Sequence, residues 1–147
     1  ASARLRGSGP RRLNAPAAAG GAGEGKQWRL RRLRRRAERQ AAADTIAARP
    51  FPLPIPAGAI VSGFMPLKSE INPLPLLRRL ADAGAKLALP VVAGRGKPLT
   101  MRAYAFGEEL NSGVWGIREP KASAPEVDPD ILIVPLAVFD RKGHRIG

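Results

Sequence analysis

AIVSGFM (Ala59–Met65), SEINPLPLLRRLADAG (Ser69–Gly84) and KLALPVV (Lys86–Val92) follow one another, and their reading decides the fold. The first and third are short, continuous apolar runs with Val and Ile, the pattern of strands buried on both faces. The middle run reads as a helix entered at Asn72, with Pro73 at its first position, where a missing N–H costs nothing. Leu76, Leu77 and Leu80 fall on one helical face, and Gly84 stops the helix. Strand, helix and strand in this order make a βαβ unit with an expected right-handed crossover.

Downstream, GRGKP (Gly94–Pro98) is a turn leading to a third strand near LTMRAYA (Leu99–Ala105). That turn lacks the Gly-x4-Gly-Lys-Ser/Thr spacing and the following helix of a phosphate loop. Residues 106–130 read as a long loop, of a length commonly used for function. ILIVPLAV (Ile131–Val138) reads as a buried strand. Upstream, residues 28–49 have helix-favouring composition, with an apolar stripe through Trp28, Leu33 and Ala37. The Pro-rich run Pro50–Gly58 ends that helix.

The chain has 147 residues, 44% of them hydrophobic, enough for one domain with a real core. Its net charge of +13 is uneven. Residues 1–50 hold 13 Lys/Arg against 3 Asp/Glu, and residues 51–147 hold 12 against 9. Residues 1–25 are Gly/Ala/Pro-rich and basic with few large apolar groups, so disorder is expected there. That segment is also Arg-rich and acid-poor, as organellar transit segments are. No apolar run reaches 18 residues, so no membrane span is expected. Cysteine is absent, which excludes disulfide and thiolate chemistry and fits a cytoplasmic protein, or an organellar one if residues 1–25 act as a transit segment. With one histidine, His144, in a turn, Ser-His-Asp and Cys-His chemistry is off the menu, and no nucleophile or general base is assigned.

In open parallel sheets ligands bind outside the carboxyl ends of strands. Ser69 and Glu70 follow the first strand, Pro90 ends the second, and Asp140 to Gly147 follow the last. Glu70 is either an idle loop carboxylate or an acceptor for the N–H donors of a heterocycle. Trp115, between glycines, is either a cover for the core or a stacking surface for a ring. Asp140 is placed to hold Mg2+ or orient a cationic side chain, or else to form the DRKG turn. Arg145 followed by Gly147 suits a phosphate, by forked hydrogen bonds and close backbone approach. Together they point to an anionic nucleotide and an aromatic heterocycle.

The runs at 63–92, 99–120 and 129–147 resemble, in order and spacing, the 5-formyltetrahydrofolate cyclo-ligases, over roughly Ala37 to Gly147. The most specific parts are Ser69-Glu70-Ile71, the Trp-Gly-Ile-x-Glu-Pro run at 115–120, and Phe139-Asp140-x-x-Gly143-x-Arg145-x-Gly147. The resemblance implies a three-layer α/β/α, Rossmann-like domain over residues 26–147 with a mostly parallel central sheet, its core at 57–147. It implies ATP-dependent, Mg2+-assisted closure of 5-formyltetrahydrofolate to 5,10-methenyltetrahydrofolate. It places Met65, Glu70 and Trp115 at the folate, and Arg145, Ile146 and Gly147 at the opening of the ATP loop. The family's two N-terminal phosphate-binding cations, four residues apart, have no clear counterpart; Lys26 and Arg31 are the nearest. The family continues past this glycine with a Gly/Tyr-rich loop and further elements, so the fold is expected to be incomplete at the C-terminus and turnover impaired. A non-catalytic homologue that binds folate weakly or not at all, and an Arg-rich nucleic-acid-binding module, are the alternatives. Specific nucleic-acid binding is otherwise not expected.

Overall fold

The computed structural model describes residues 22–146, with the side chains of residues 22–26 and of Trp28 outside the described set. The expectations for residues 1–21, for Gly147 and for the Lys26 side chain therefore lie outside the described residues. Contacts divide the chain at Leu33–Arg34, inside the first helix.

That helix, α1, runs Ala22–Ala48. It begins before Lys26, so residues 22–25 are helical where disorder was expected. The expected stripe is also corrected: Leu33 is 60% exposed and Ala37 is exposed. The buried contacts lie later in the helix, at Ala43, 2% exposed, and at half-buried Ala47. Small side chains let the helix approach the core closely, whereas the arginine run before them holds that part of the helix in solvent.

The βαβ unit forms, with a first strand shorter than the Ala59–Met65 run and with Pro73 capping the helix rather than opening it. Strand β1 is Ile60–Ser62, helix α2 is Leu74–Asp82 and strand β2 is Lys86–Val92. Asn72 Oδ1 accepts the Leu74 N–H at 3.1 Å, satisfying a helix-start donor beside Pro73. Gly84 turns the chain at φ 99°, a left-handed value that favours glycine. Strand β3, Leu99–Tyr104, pairs antiparallel with β2. Strand β6, Ile131–Leu132, pairs parallel with β1. The sheet order is β3-β2-β1-β6, a mixed α/β fold with a mostly parallel sheet, as expected.

The register gives two rows across the sheet. Ile131, Val61, Leu87 and Tyr104 lie side by side and join Leu76, Leu77 and Leu80 of α2 in the core. Leu132, Ser62, Ala88 and Ala103 line up on the opposite face. Ala47, Phe51 and Ile55 pack against the same core as α2. Gly63, next after β1, is required by α2: a Cβ there would collide with the Leu77 side chain.

Two regions differ from expectation. The 106–130 segment is not a plain loop. It contains β4 (Asn111–Ser112) and β5 (Arg118–Glu119), paired antiparallel around a 3-10 turn at Val114–Gly116. The 131–138 run is a strand only at Ile131–Leu132. Ile133 N–H still bonds Ser62 C=O at 2.8 Å, but Pro135 has no N–H to continue the ladder. Side chains from 131 to 136 alternate half-buried and exposed, so this is an edge with one covered face, not a buried strand. The chain then leaves the sheet into a separate ribbon of β7 (Val138–Phe139) and β8 (Arg145–Ile146).

Candidate functional site

The three parallel strands β1, β2 and β6 point their carboxyl ends the same way. The chain leaving β1 runs through Met65 to Glu70 in a tight loop. Glu70 N–H donates to Leu67 C=O at 2.8 Å, and the Leu67 N–H donates back to Glu70 Oε2 at 2.7 Å. Lys68 between them adopts φ 44°, a left-handed value with a cost of about 1–2 kcal/mol for a residue with a Cβ. This closed loop holds the half-buried Glu70 carboxylate by Oε2, while Oε1 has no hydrogen bond among the described residues.

Glu70 borders two cavities. The larger, about 430 Å³, is lined by Met65 and Glu70 from this loop, Arg36 and Arg39 from α1, and Ile117 and Arg118 around β5. The smaller, about 260 Å³, lies between Ser69–Ile71 and Pro135–Ala137. Ala137 N–H bonds Ile146 C=O at 2.9 Å, so the smaller cavity adjoins the root of the β7–β8 ribbon.

The structure therefore brings Met65 and Glu70 together. Trp115 is set differently. Its neighbours Gly116 and Ile117 line the larger cavity, but the Trp115 ring is not part of that lining and is 73% exposed. It does not cover the core. Its backbone sits at φ 59°, ψ 18°, so a bulky side chain is held out of the turn at a conformational cost. Val92 N–H donates to Glu119 Oε2 at 3.4 Å, and Gly113 has no room for a Cβ beside the Glu119 carboxylate, which together fix this hairpin beside β2.

Arg145 and Ile146 lie on the exposed ribbon, outside the lining of either cavity. Arg31 is exposed on α1. Asp140 organises the ribbon's turn: Oδ1 accepts the N–H groups of Lys142 at 2.8 Å and His144 at 3.0 Å, and Oδ2 lies 2.8 Å from His144 Nδ1. The His144 ring hydrogen bond, aided by the backbone N–H groups, holds the Asp140 carboxyl below its ordinary value. Three of its four acceptor positions are thus used. Among the described residues no three acidic or histidine side chains converge as a metal site.

Sequence reasoning missed Arg36, Arg39, Lys68 and Arg118 at the larger cavity. The Arg118 signal was available, since it sits inside the Trp-Gly-Ile-x-Glu-Pro run. Nothing in the arginine run singles out Arg36 and Arg39.

A mostly parallel sheet built on a βαβ unit places the chain among the α/β proteins, whose ligand sites commonly lie outside the carboxyl ends of the strands. The family model of the 5-formyltetrahydrofolate cyclo-ligases matches residues 24–147, and the chain belongs to that family. It is 33% identical over 102 residues to the 5-formyltetrahydrofolate cyclo-ligase of Escherichia coli K12, covering 64% of this chain and 54% of that protein. It is 33% identical over 99 residues to the Mycolicibacterium smegmatis cyclo-ligase, covering 62% and 50% respectively. The chain thus spans about half the length of the curated relatives it matches. The solution structure of Aquifex aeolicus 5,10-methenyltetrahydrofolate synthetase superposes with a TM-score of 0.60 at 24% identity, over 83% of this chain and 66% of that one. That likeness supports the fold.

Proposed function

We propose that the chain carries the folate-binding part of an enzyme that closes 5-formyltetrahydrofolate to 5,10-methenyltetrahydrofolate, with ATP converted to ADP and phosphate. The observation that carries this is the Glu70 loop, which offers one free carboxylate oxygen to a cavity of about 430 Å³ in a chain of the cyclo-ligase family.

The chemistry suits a site without cysteine or a histidine base. A formyl group on nitrogen is amide-like and a poor electrophile. Its oxygen attacks the γ-phosphate of ATP, N10 attacks the resulting imidate carbon, and phosphate leaves. Such a sequence depends on positioning and on positive charge near the transferred phosphate. In this reading Glu70 Oε1 accepts from the N–H groups of the pterin, and Met65 packs against its ring. Trp115, exposed beside the cavity mouth, supplies an aromatic face. Arg145 and the turn held by Asp140 belong to the nucleotide side, reached past the smaller cavity. Mg2+ would accompany ATP as a complex of the nucleotide. No helix among the described residues is long and apolar enough to cross a membrane; we place the reaction in the cytoplasm.

Calorimetric titration of 5-formyltetrahydrofolate into the full chain tests the reading. Glu70→Gln keeps the shape but removes the charge, and a charged hydrogen bond of about 1.5–3 kcal/mol predicts a loss of affinity of roughly 10- to 100-fold. Equal affinities for the two proteins would overturn the assignment of Glu70.

A further inference from the structure

A further cavity of about 430 Å³ lies at the amino end of β2, away from the carboxyl ends of the parallel strands. It opens where α2 gives way to β2, against the last residues of β3. Ala81, Ala85 and Leu87 give it small and aliphatic lining, and Tyr104 and Phe106 add two rings. The rings meet edge to face, with centroids 5.5 Å apart and planes at 63°. Such a corner admits a third ring in offset or edge-on contact. The Arg78 guanidinium lies 4.0 Å from the Phe106 centroid, so one face of that ring is already covered.

The charges around this cavity differ from those beside Glu70. There, four cations accompany one carboxylate. Here, Arg78 and Lys86 are matched by Asp82 and Glu108. A lining without net charge does not draw in a polyanion such as folate or ATP, and it suits a ligand whose own charges cancel. Two of the four charges are engaged: Arg78 over Phe106, and Glu108, whose Oε2 accepts the Ala105 N–H at 2.9 Å. Asp82 and Lys86 remain, and neither side chain makes a hydrogen bond or ion pair among the described residues. The turn between them is held by its backbone, since Gly84 N–H donates to Ala81 C=O at 2.9 Å and Ala85 N–H to Leu80 C=O at 3.0 Å. A carboxylate and an ammonium thus flank one fixed turn, the carboxylate at the carbonyl end of α2, where a positive group is favoured.

We propose that this cavity binds an aromatic α-amino acid as its zwitterion, at a site separate from the one beside Glu70. The ring enters the corner of Tyr104 and Phe106 and packs on Ala85 and Leu87. The ammonium meets Asp82 and the carbonyl end of α2, and the carboxylate meets Lys86. An α-amino acid carries both charges on one short stem beside its ring, which is the combination this cavity presents. A bound ligand bridges the end of α2 to the end of β3 and stabilises the folded chain by mass action.

The test titrates L-phenylalanine into the full chain and follows backbone amide chemical shifts. A ligand of this size predicts a dissociation constant on the order of 1 mM. Saturating shifts are expected at Gly84 to Leu87 and at Tyr104 and Phe106, with none at Leu67 to Glu70. Hydrocinnamate lacks the ammonium and phenethylamine lacks the carboxylate; each should bind about threefold or more weaker, the scale of an exposed ion pair. L-Alanine, without a ring, should not saturate. Asp82→Asn should erase the preference over hydrocinnamate and keep that over phenethylamine, and Lys86→Gln should do the reverse. Both side chains are exposed, so neither change disturbs the core, and the analogue series on the wild type decides the matter if a variant does not fold. No saturation by L-phenylalanine at about ten times that concentration overturns the proposal, as do shifts confined to the Glu70 loop. Equal binding of L-phenylalanine and its two analogues overturns it as well, because the cavity would then select for apolar bulk alone. So does saturation by L-alanine, or a set of preferences that both variants leave unchanged.

Discussion

The two edges of the central sheet are finished differently. Beyond β3, the chain from 122 to 127 lies along the strand: Ala103 N–H bonds Pro125 C=O and Val127 N–H bonds Met101 C=O, each at 2.9 Å. Arg102 staples this segment, donating to the carbonyls of Ala122 and Ala124 and to Glu126 Oε1. Beyond β6, no strand pairs among the described residues. Leu132, 53% exposed, and Val134 and Leu136 after it present apolar side chains to solvent. One edge is closed by polar groups from a distant loop, and the other is an apolar run left open. Apolar content thus marks which residues can be buried, while the number of covered faces depends on what the rest of the chain lays over them.

The core between the edges sets the scale. Leu77→Ala removes a side chain with no solvent exposure, packed beneath Gly63, and should cost about 2–5 kcal/mol. Leu132→Lys on the open edge should change stability by only about 0.5 kcal/mol or less, while lowering self-association at high concentration. Denaturant titration and light scattering on the two variants check the pair. A Leu132→Lys loss as large as that of Leu77→Ala would mean the β6 edge is as closed as the core.

The stapled edge should fall between these. Arg102→Met keeps much of the aliphatic length but strips three hydrogen-bonded groups from the 122–127 segment. The expected loss is about 1.5–3 kcal/mol, with hydrogen exchange at Ala103 and Val127 rising first. The Arg102 Nε is buried without a partner, so part of the gain is already offset in the wild type. A variant as stable as the wild type would show that backbone pairing alone closes this edge.

The βαβ unit was legible because each of its signals is local: a continuous apolar run, a leucine face of helical period, Pro73 and Gly84 at the ends. The run 131–138 has the apolar content of a buried strand, but Pro135 inside it has no N–H to continue the ladder. At the larger cavity, Glu70 was legible from its place after the first strand, and Met65 only through the family resemblance. Trp115 was legible as an aromatic between glycines, but not its outward set, which follows from its left-handed backbone. Arg36 and Arg39 were not legible at all. In a run of arginines every member has the same local surroundings, and only tertiary placement of α1 selects the two that face the cavity.

The open side of the molecule ends in the β7–β8 ribbon, which is held by its turn rather than by burial. That difference should show in acid. Hydrogen bonds from the His144 ring first, and from the backbone N–H groups of His144, Lys142 and Gly143, hold the Asp140 carboxyl below its ordinary 3.8. A carboxyl depressed in the folded state stabilises the turn above the ordinary Asp range, and that contribution is lost as pH falls through the lower folded value. The amide chemical shifts of Lys142 and His144 should therefore move in a single step below about pH 4, while those of Leu87 to Leu89 in β2 show no step there. Asp140→Asn should abolish the step and leave the turn shifts nearly flat with pH. The same step in the Asn variant would show that another group holds the ribbon, and a matching step in β2 would show that ribbon and sheet unfold as one unit, erasing the contrast between the closed and open sides.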